Sequence, residues 1–226
     1  CVRVVRDCLG PSVPISVKLN SADFQRGAFN FSESVQVAKW LEEATIDLLE
    51  ISGGTYEQPR LLNLAGIEPI DHQGVSATSH AREAYFADFA EIMRKEVSIP
   101  LMVTGGIRRR DTMLDILGTG CADMVGIGRP LCVNPHAPLD LMSGMTELAR
   151  FEDIVSLLPK SIEFLNRLKL LRTIGGFATQ YWFYEQIARI GRADEPDPNL
   201  GVMTAVIAQT RSAKAWLSDR KMILNQ

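Results

Sequence analysis

The chain lacks most of the features that announce a metal, disulfide or nucleic-acid protein. Its four cysteines, Cys1, Cys8, Cys121 and Cys132, form no CxxC pair and no metal-ligand spacing. Its three histidines, His72, His80 and His136, are scattered, so zinc has little support. Charge of one sign is also missing: 24 Lys and Arg against 27 Asp and Glu give a formal net charge of −3, which argues against a nucleic-acid surface. No apolar run approaches the ~18 residues of a membrane span, and the opening residues do not read as a signal peptide. A reducing compartment, the cytoplasm, is therefore the expected location. What is present suffices for a core: 226 residues that are 46% hydrophobic and 23% charged exclude a disordered tail, a disulfide miniprotein and a fibrous repeat.

Residues 1–10 place valines and Leu9 at helical spacing and end in Gly10-Pro11, a helix stop followed by a breaker. A chain that opens inside a helix reads as a fragment of a longer one. Strands are expected over Pro14–Asn20, Asp47–Ser52, Pro100–Thr104 and Ala122–Ile127, as short apolar runs buried on both faces. Between them the spacing predicts helices over 30–44, with Asn30 and Glu33 as a capping box, over 81–97, with Tyr85, Phe89, Met93 and Val97 as the buried stripe, and over 111–117, capped by Asp111. A long loop covers Thr55–Ser79; loops of that length in a domain are functional or disordered. Strand and helix alternate, which calls for parallel strands joined by crossover helices. Beyond Pro135 the pattern turns helical: weakly over Leu139–Phe151, strongly over Ser161–Arg189 and Val202–Leu217.

The chemistry-bearing residues gather where the strands end, the usual ligand end of an α/β sheet. Gly105-Gly106 and Gly126-Ile-Gly128-Arg129 suit a phosphate: glycine lets backbone N–H groups approach its oxygens, and Arg129 adds a forked, charged contact. Tight strand-to-helix turns would use the same glycines. Neither stretch matches the dinucleotide fingerprint or the Walker loop. Lys18 is odd inside an apolar strand; its ammonium either pairs with an anion or strong acceptor, or reaches solvent at the strand end. The Arg108–Arg110 triplet reads as a solvated cluster, with a nearby anion as the alternative. His72 and His80, in or beside the long loop, read as residues without a role, with a substrate contact as the alternative; the sequon at Asn30 reads as accidental, and Tyr181–Tyr184 as packing or a partner contact.

Val17-Lys-Leu-Asn-Ser-Ala-Asp-Phe24, Asp47-Leu-Leu-Glu-Ile-Ser-Gly-Gly-Thr-Tyr56, Arg82-Glu-Ala-Tyr-Phe86, Pro100-Leu-Met-Val-Thr-Gly-Gly106 and Asp123-Met-Val-Gly-Ile-Gly-Arg-Pro-Leu131 resemble the Old Yellow Enzyme family of NADH:flavin oxidoreductases. The resemblance covers roughly residues 1–135. It implies an α/β fold: the C-terminal half, about four βα units, of a TIM-type (β/α)8 barrel (strands five to eight, residues 1–135), followed by an all-helical C-terminal extension (136–226). It implies FMN as cofactor, NAD(P)H as reductant and a small unsaturated carbonyl substrate such as an enone, with no nucleic acid, no membrane and scope for a homo-oligomer. Lys18 takes the place of the basic residue, often Arg, that lies against the flavin N1/O2 edge. Gly105, Gly106, Gly128 and Arg129 take the phosphate site, and Gly53 and Gly54 line the active-site face less directly. The family's carbonyl-binding His/His or His/Asn pair and its catalytic Tyr lie on the first half of the barrel, so no catalytic residue is assigned here, and the fragment alone is expected to be inactive. Two other readings stay open: a phosphate-binding barrel isomerase or lyase without flavin, and an inactive half-barrel that only self-associates.

Overall fold

In a computed structural model, residues 1–22, 29–52, 87–155 and 169–224 are described. The Thr55–Ser79 loop and Gly53, Gly54, His72, His80 and Tyr85 lie outside the described residues. The chain divides into two units, residues 1–128 with 144–148, and residues 129–143 with 149–226.

In the first unit, helix α1 (Val2–Leu9) precedes strand β1 (Ser16–Asn20), and α2 (Phe31–Glu43) leads to β2 (Leu48–Ser52). Helix α3 (Ala87–Arg94), β3 (Leu101–Thr104), α4 (Arg110–Gly118) and β4 (Met124–Gly126) follow. The four strands form one sheet in the order β1-β2-β3-β4, all parallel, as helical crossovers require. One face of this sheet carries the core. Leu49, Ile51, Leu101 and Val103 are buried there, as are Ala38 of α2, Phe89, Ala90 and Met93 of α3, and Met113 and Ile116 of α4. Helix α2 begins as its sequence dictates. The Asn30 side chain accepts from the Glu33 N–H (3.1 Å) and Glu33 accepts from the Asn30 N–H (2.9 Å), a closed capping box worth about 1 kcal/mol.

The same device fixes the start of two strand pairs. Asp47, just before β2, accepts from the Ile15 N–H (2.7 Å) and from Arg6 (2.5 Å), while its own N–H donates to the Ile15 carbonyl (2.9 Å). Asp123, just before β4, accepts from the Leu101 N–H (2.8 Å) and from Arg94, and its N–H donates to the Leu101 carbonyl (2.9 Å). The arginine comes each time from the helix that precedes the pinned strand. These backbone and guanidinium donors hold both carboxyls below the usual aspartate value.

Two expectations change. Helix α4 is not capped by Asp111: the residue before its first turn is Arg109, without a side-chain cap. The Arg110 N–H donates instead to the Thr146 carbonyl (2.8 Å), and Asp111 sits in the first turn, where its charge suits the helix dipole. Nor is Leu139–Phe151 one weak helix. Helix stops at Met142 and Gly144 takes a left-handed φ of 108°. Residues 144–148 then lie with the first unit: Arg109 and Glu147 form an antiparallel bridge and the Leu148 N–H donates to the Arg108 carbonyl (3.0 Å).

The second unit holds a 3-10 turn (Arg129–Cys132) and helices α5 (Ala137–Met142), α6 (Phe151–Ile154), α7 (Lys169–Gly191) and α8 (Val202–Leu224). Trp182, Phe183, Ala178, Val202, Ala205 and Val133 make its core. The Trp182 Nε1–H donates to the Leu200 carbonyl (2.8 Å). Gln186, fully buried, clamps the α7–α8 turn at both polar atoms: Nε2 donates to the Asp197 carbonyl and Oε1 accepts from the Asp197 N–H, each at 2.7 Å. Within Tyr181–Tyr184 the middle two residues pack and both tyrosines are exposed. No helix among the described residues is long and apolar enough to cross a membrane.

Two predictions follow from these bonds. A carboxyl whose folded pKa is depressed stabilises the fold above its unfolded value, near 3.9, and loses that contribution as pH falls through the folded value. The thermal midpoint should therefore fall as pH drops below the unfolded aspartate value; Asp123→Asn should lower it at pH 6 and flatten the acid slope, and an unchanged slope would contradict this role. Gln186→Ala orphans two backbone groups of Asp197, at about 1–3 kcal/mol each, so denaturant unfolding monitored at Trp182 should shift to lower concentration.

Candidate functional site

Register places the unusual residues. Lys18 is paired with Glu50, Glu50 with Met102 and Met102 with Met124, so these four cross the sheet in one row on the face opposite Leu49 and Leu101. The next row on that face, toward the carboxyl ends of the strands, pairs Asn20 with Ser52 and Thr104 with Gly126. The expectation that the strands are buried on both faces therefore gives way. The core face is closed, while Lys18 (side chain 54% exposed) and Met124 (49%) open the other face to solvent.

Lys18 has found its anion on the neighbouring strand. Its Nζ donates to Glu50 Oε1 at 2.5 Å, and the Glu50 side chain is only 16% exposed. The pair follows from two strands with a charge at the third of five positions, SVKLN and LLEIS. Read separately, each charge is an anomaly; read in register, they neutralise one another.

Above that row the site is polar. Ser21 follows β1, its N–H donates to the Ser52 carbonyl (2.6 Å), and its buried Oγ has no hydrogen-bond partner among the described residues. The Thr104 Oγ1 is likewise buried and without one. It occupies the space that a side chain at Gly126 would take: a Cβ there would lie 1.8 Å from Thr104 Oγ1 and 3.0 Å from Thr104 Cβ. Gly105 is buried beyond β3, Gly106 takes a left-handed φ of 70°, and a Cβ at Gly128 would meet open space. A half-buried cation–carboxylate pair, the Thr104 hydroxyl and glycine backbone at the strand ends can together hold a polar ligand that carries an anionic group.

The arginines distribute differently from their sequence pattern. Arg108 is buried (3% exposed) and donates to the Ile107 carbonyl (3.1 Å), so a fully solvated triplet is not what forms; Arg109 alone of the three is exposed. Arg129 belongs to the second unit, where its Nη1 pairs with Glu152 Oε1 at 2.9 Å. His136 is exposed. Glu50, Ser21 and Thr104 were not among the sequence candidates; Glu50 could have been found by aligning the two strands, the hydroxyls only from coordinates.

No family model matches the chain. It is 36% identical over 125 residues to an NADH-dependent flavin oxidoreductase (iliE) of Neonectria sp. (strain DH2), a stretch that is 55% of this chain and 16% of that protein. A protein of the same name from Hypocrea jecorina (strain QM6a) is 34% identical over 142 residues, 62% of this chain and 34% of the relative. The NADH-dependent flavin oxidoreductase nadA of Aspergillus parasiticus is 28% identical over 211 residues, 93% of this chain and 41% of the relative. The chain thus spans less than half the length of these relatives. Among solved structures, a 2-naphthoyl-CoA reductase in complex with 2-naphthoyl-CoA superposes with a TM-score of 0.52 at 23% identity, over 63% of this chain and 20% of that one. At that identity the likeness speaks for the α/β fold.

The Thr104–Gly126 fit gives a direct test. Every rotamer of Thr104 leaves its Cβ against a new side chain at Gly126, so Gly126→Ala should cost about 1–3 kcal/mol. Thr104→Gly in the same chain removes that Cβ together with Oγ1 and should return most of it in a double-mutant cycle; additive losses would show that the two residues do not share this space.

Proposed function

We propose that this chain, which is similar to NADH-dependent flavin oxidoreductases, supplies half of an FMN site in an NAD(P)H-dependent flavin oxidoreductase of the Old Yellow Enzyme family, acting on an electron-poor alkene such as an enone. In this reading β1–β4 are strands five to eight of a (β/α)8 barrel, the residues beyond about 136 are its helical extension, and the enzyme works in the cytoplasm. The observation that carries the proposal is that Lys18 and Thr104 lie on one face of a single sheet, with Gly105, Gly106 and Gly128 just beyond the carboxyl ends of its last two strands.

These residues fit the cofactor. Backbone at Gly105, Gly106 and Gly128 suits phosphate oxygens, because no side chain bars the approach. Arg129, next in the chain to Gly128, carries several guanidinium N–H donors, one of which meets Glu152. Lys18 suits the flavin N1/O2 edge, where its charge favours the negative charge of the reduced ring. Bound flavin would supply the hydride chemistry, accepting from NAD(P)H and giving to the alkene. The chain's own part is to hold, orient and charge-match; none of its residues is assigned as proton donor.

The test is made on the full-length protein. It should release FMN on denaturation and oxidise NAD(P)H when an enone is present; protein that neither holds nor binds FMN would overturn the reading. Arg129→Ala removes a charged hydrogen bond worth roughly 1.5–3 kcal/mol, so FMN affinity by fluorescence titration should fall about ten- to hundredfold. Unchanged affinity would remove Arg129 from the phosphate site.

A further inference from the structure

A lysine placed beside a cofactor is expected to act as a lone positive charge, but Lys18 is not alone. Its ammonium is 2.5 Å from Glu50, on the adjacent strand and in exact register on the same face. The carboxylate is the more buried partner, at 16% against 54%, and its other registered neighbour is the apolar Met102. A carboxylate in that position keeps its charge at the least cost by holding a cation. A lysine stem is long and flexible, so without an anchor the ammonium would sample many positions above the sheet.

We infer that Glu50 is a positioning residue and counter-ion for Lys18, fixing the ammonium on the open face and offsetting its charge, so that the pair rather than Lys18 alone sets the redox potential of a flavin bound there. This rests on the flavin reading and refines it. Lys18 by itself would favour the reduced, negatively charged ring strongly; with Glu50 in contact the net field at the ring is much smaller. The Lys18–Glu50 pair thus tempers the cofactor instead of driving it fully toward the reduced form.

The experiment measures the two-electron potential of the FMN-loaded, full-length protein and of three variants. Glu50→Gln keeps an acceptor for Lys18 but removes the negative charge, so reduced flavin should gain about tenfold in affinity over oxidised flavin, a rise of about 30 mV. Lys18→Met should lower the potential by a similar amount. Lys18→Met with Glu50→Met removes both charges at similar volume, a replacement cores accept, and should return the potential toward the wild-type value. That double variant also decides the matter if Glu50→Gln fails to fold. A double variant as low as Lys18→Met, or a Glu50→Gln potential equal to wild type, would overturn the role of Glu50 while leaving the flavin site intact. If Lys18→Met itself shifts nothing, the flavin-edge placement of Lys18 falls, and Glu50's role with it. Absence of FMN from the wild-type protein would overturn both readings.

Discussion

Two aspartates at the amino ends of the strands hold everything above them in register. Asp47 and Asp123 each trade two hydrogen bonds with the backbone at the start of a neighbouring strand and recruit an arginine from the helix that precedes that neighbour. Because side chains alternate along a strand, a slip of one residue would turn every one of them to the other face. Leu49, Ile51, Leu101 and Val103 would leave the core, and Lys18 would no longer face Glu50. The repetition of this device at β1–β2 and at β3–β4 makes the sheet two copies of one strand-helix-strand unit laid side by side.

The consequence appears at the opposite end and on the opposite face. With the apolar rows committed to the helices, the other face is free to carry a charge pair, two methionines and a polar row of Asn20, Ser52 and Thr104. Such a face is a poor core, since Thr104 leaves a buried hydroxyl without a partner among the described residues and buried polar atoms without partners cost stability. It is a good place for a ligand. The glycines beyond β3 and β4 extend the same logic, withholding side chains where a ligand's charged group would come close.

Much of the fold was legible in the sequence. Short apolar runs ended by glycine mark β2, β3 and β4, and the Asn30–Glu33 box marks the start of α2 to the residue, because these signals are local. What depends on distant partners was not legible. Asp111 looked like a cap until Thr146 took the Arg110 N–H, and residues 143–150 looked helical until Arg109 and Glu147 paired across the chain. Arg108 looked solvated because its neighbours are charged, yet burial is set by where the turn after β3 lands. For the site, the glycines and Lys18 stood out by residue type alone; Glu50 did not, since a glutamate in a strand is unremarkable until the register sets it against a lysine.

We propose that the open face and carboxyl end of this sheet form one cofactor site. A crystal structure of the full-length protein with FMN tests it most directly. Phosphate oxygens are expected within hydrogen-bond distance of backbone N–H groups at Gly106 and Gly128, with the pyrimidine edge of the ring against the Lys18 ammonium. FMN bound elsewhere, with the Lys18–Glu50 pair and the Thr104 hydroxyl facing only water, would contradict it.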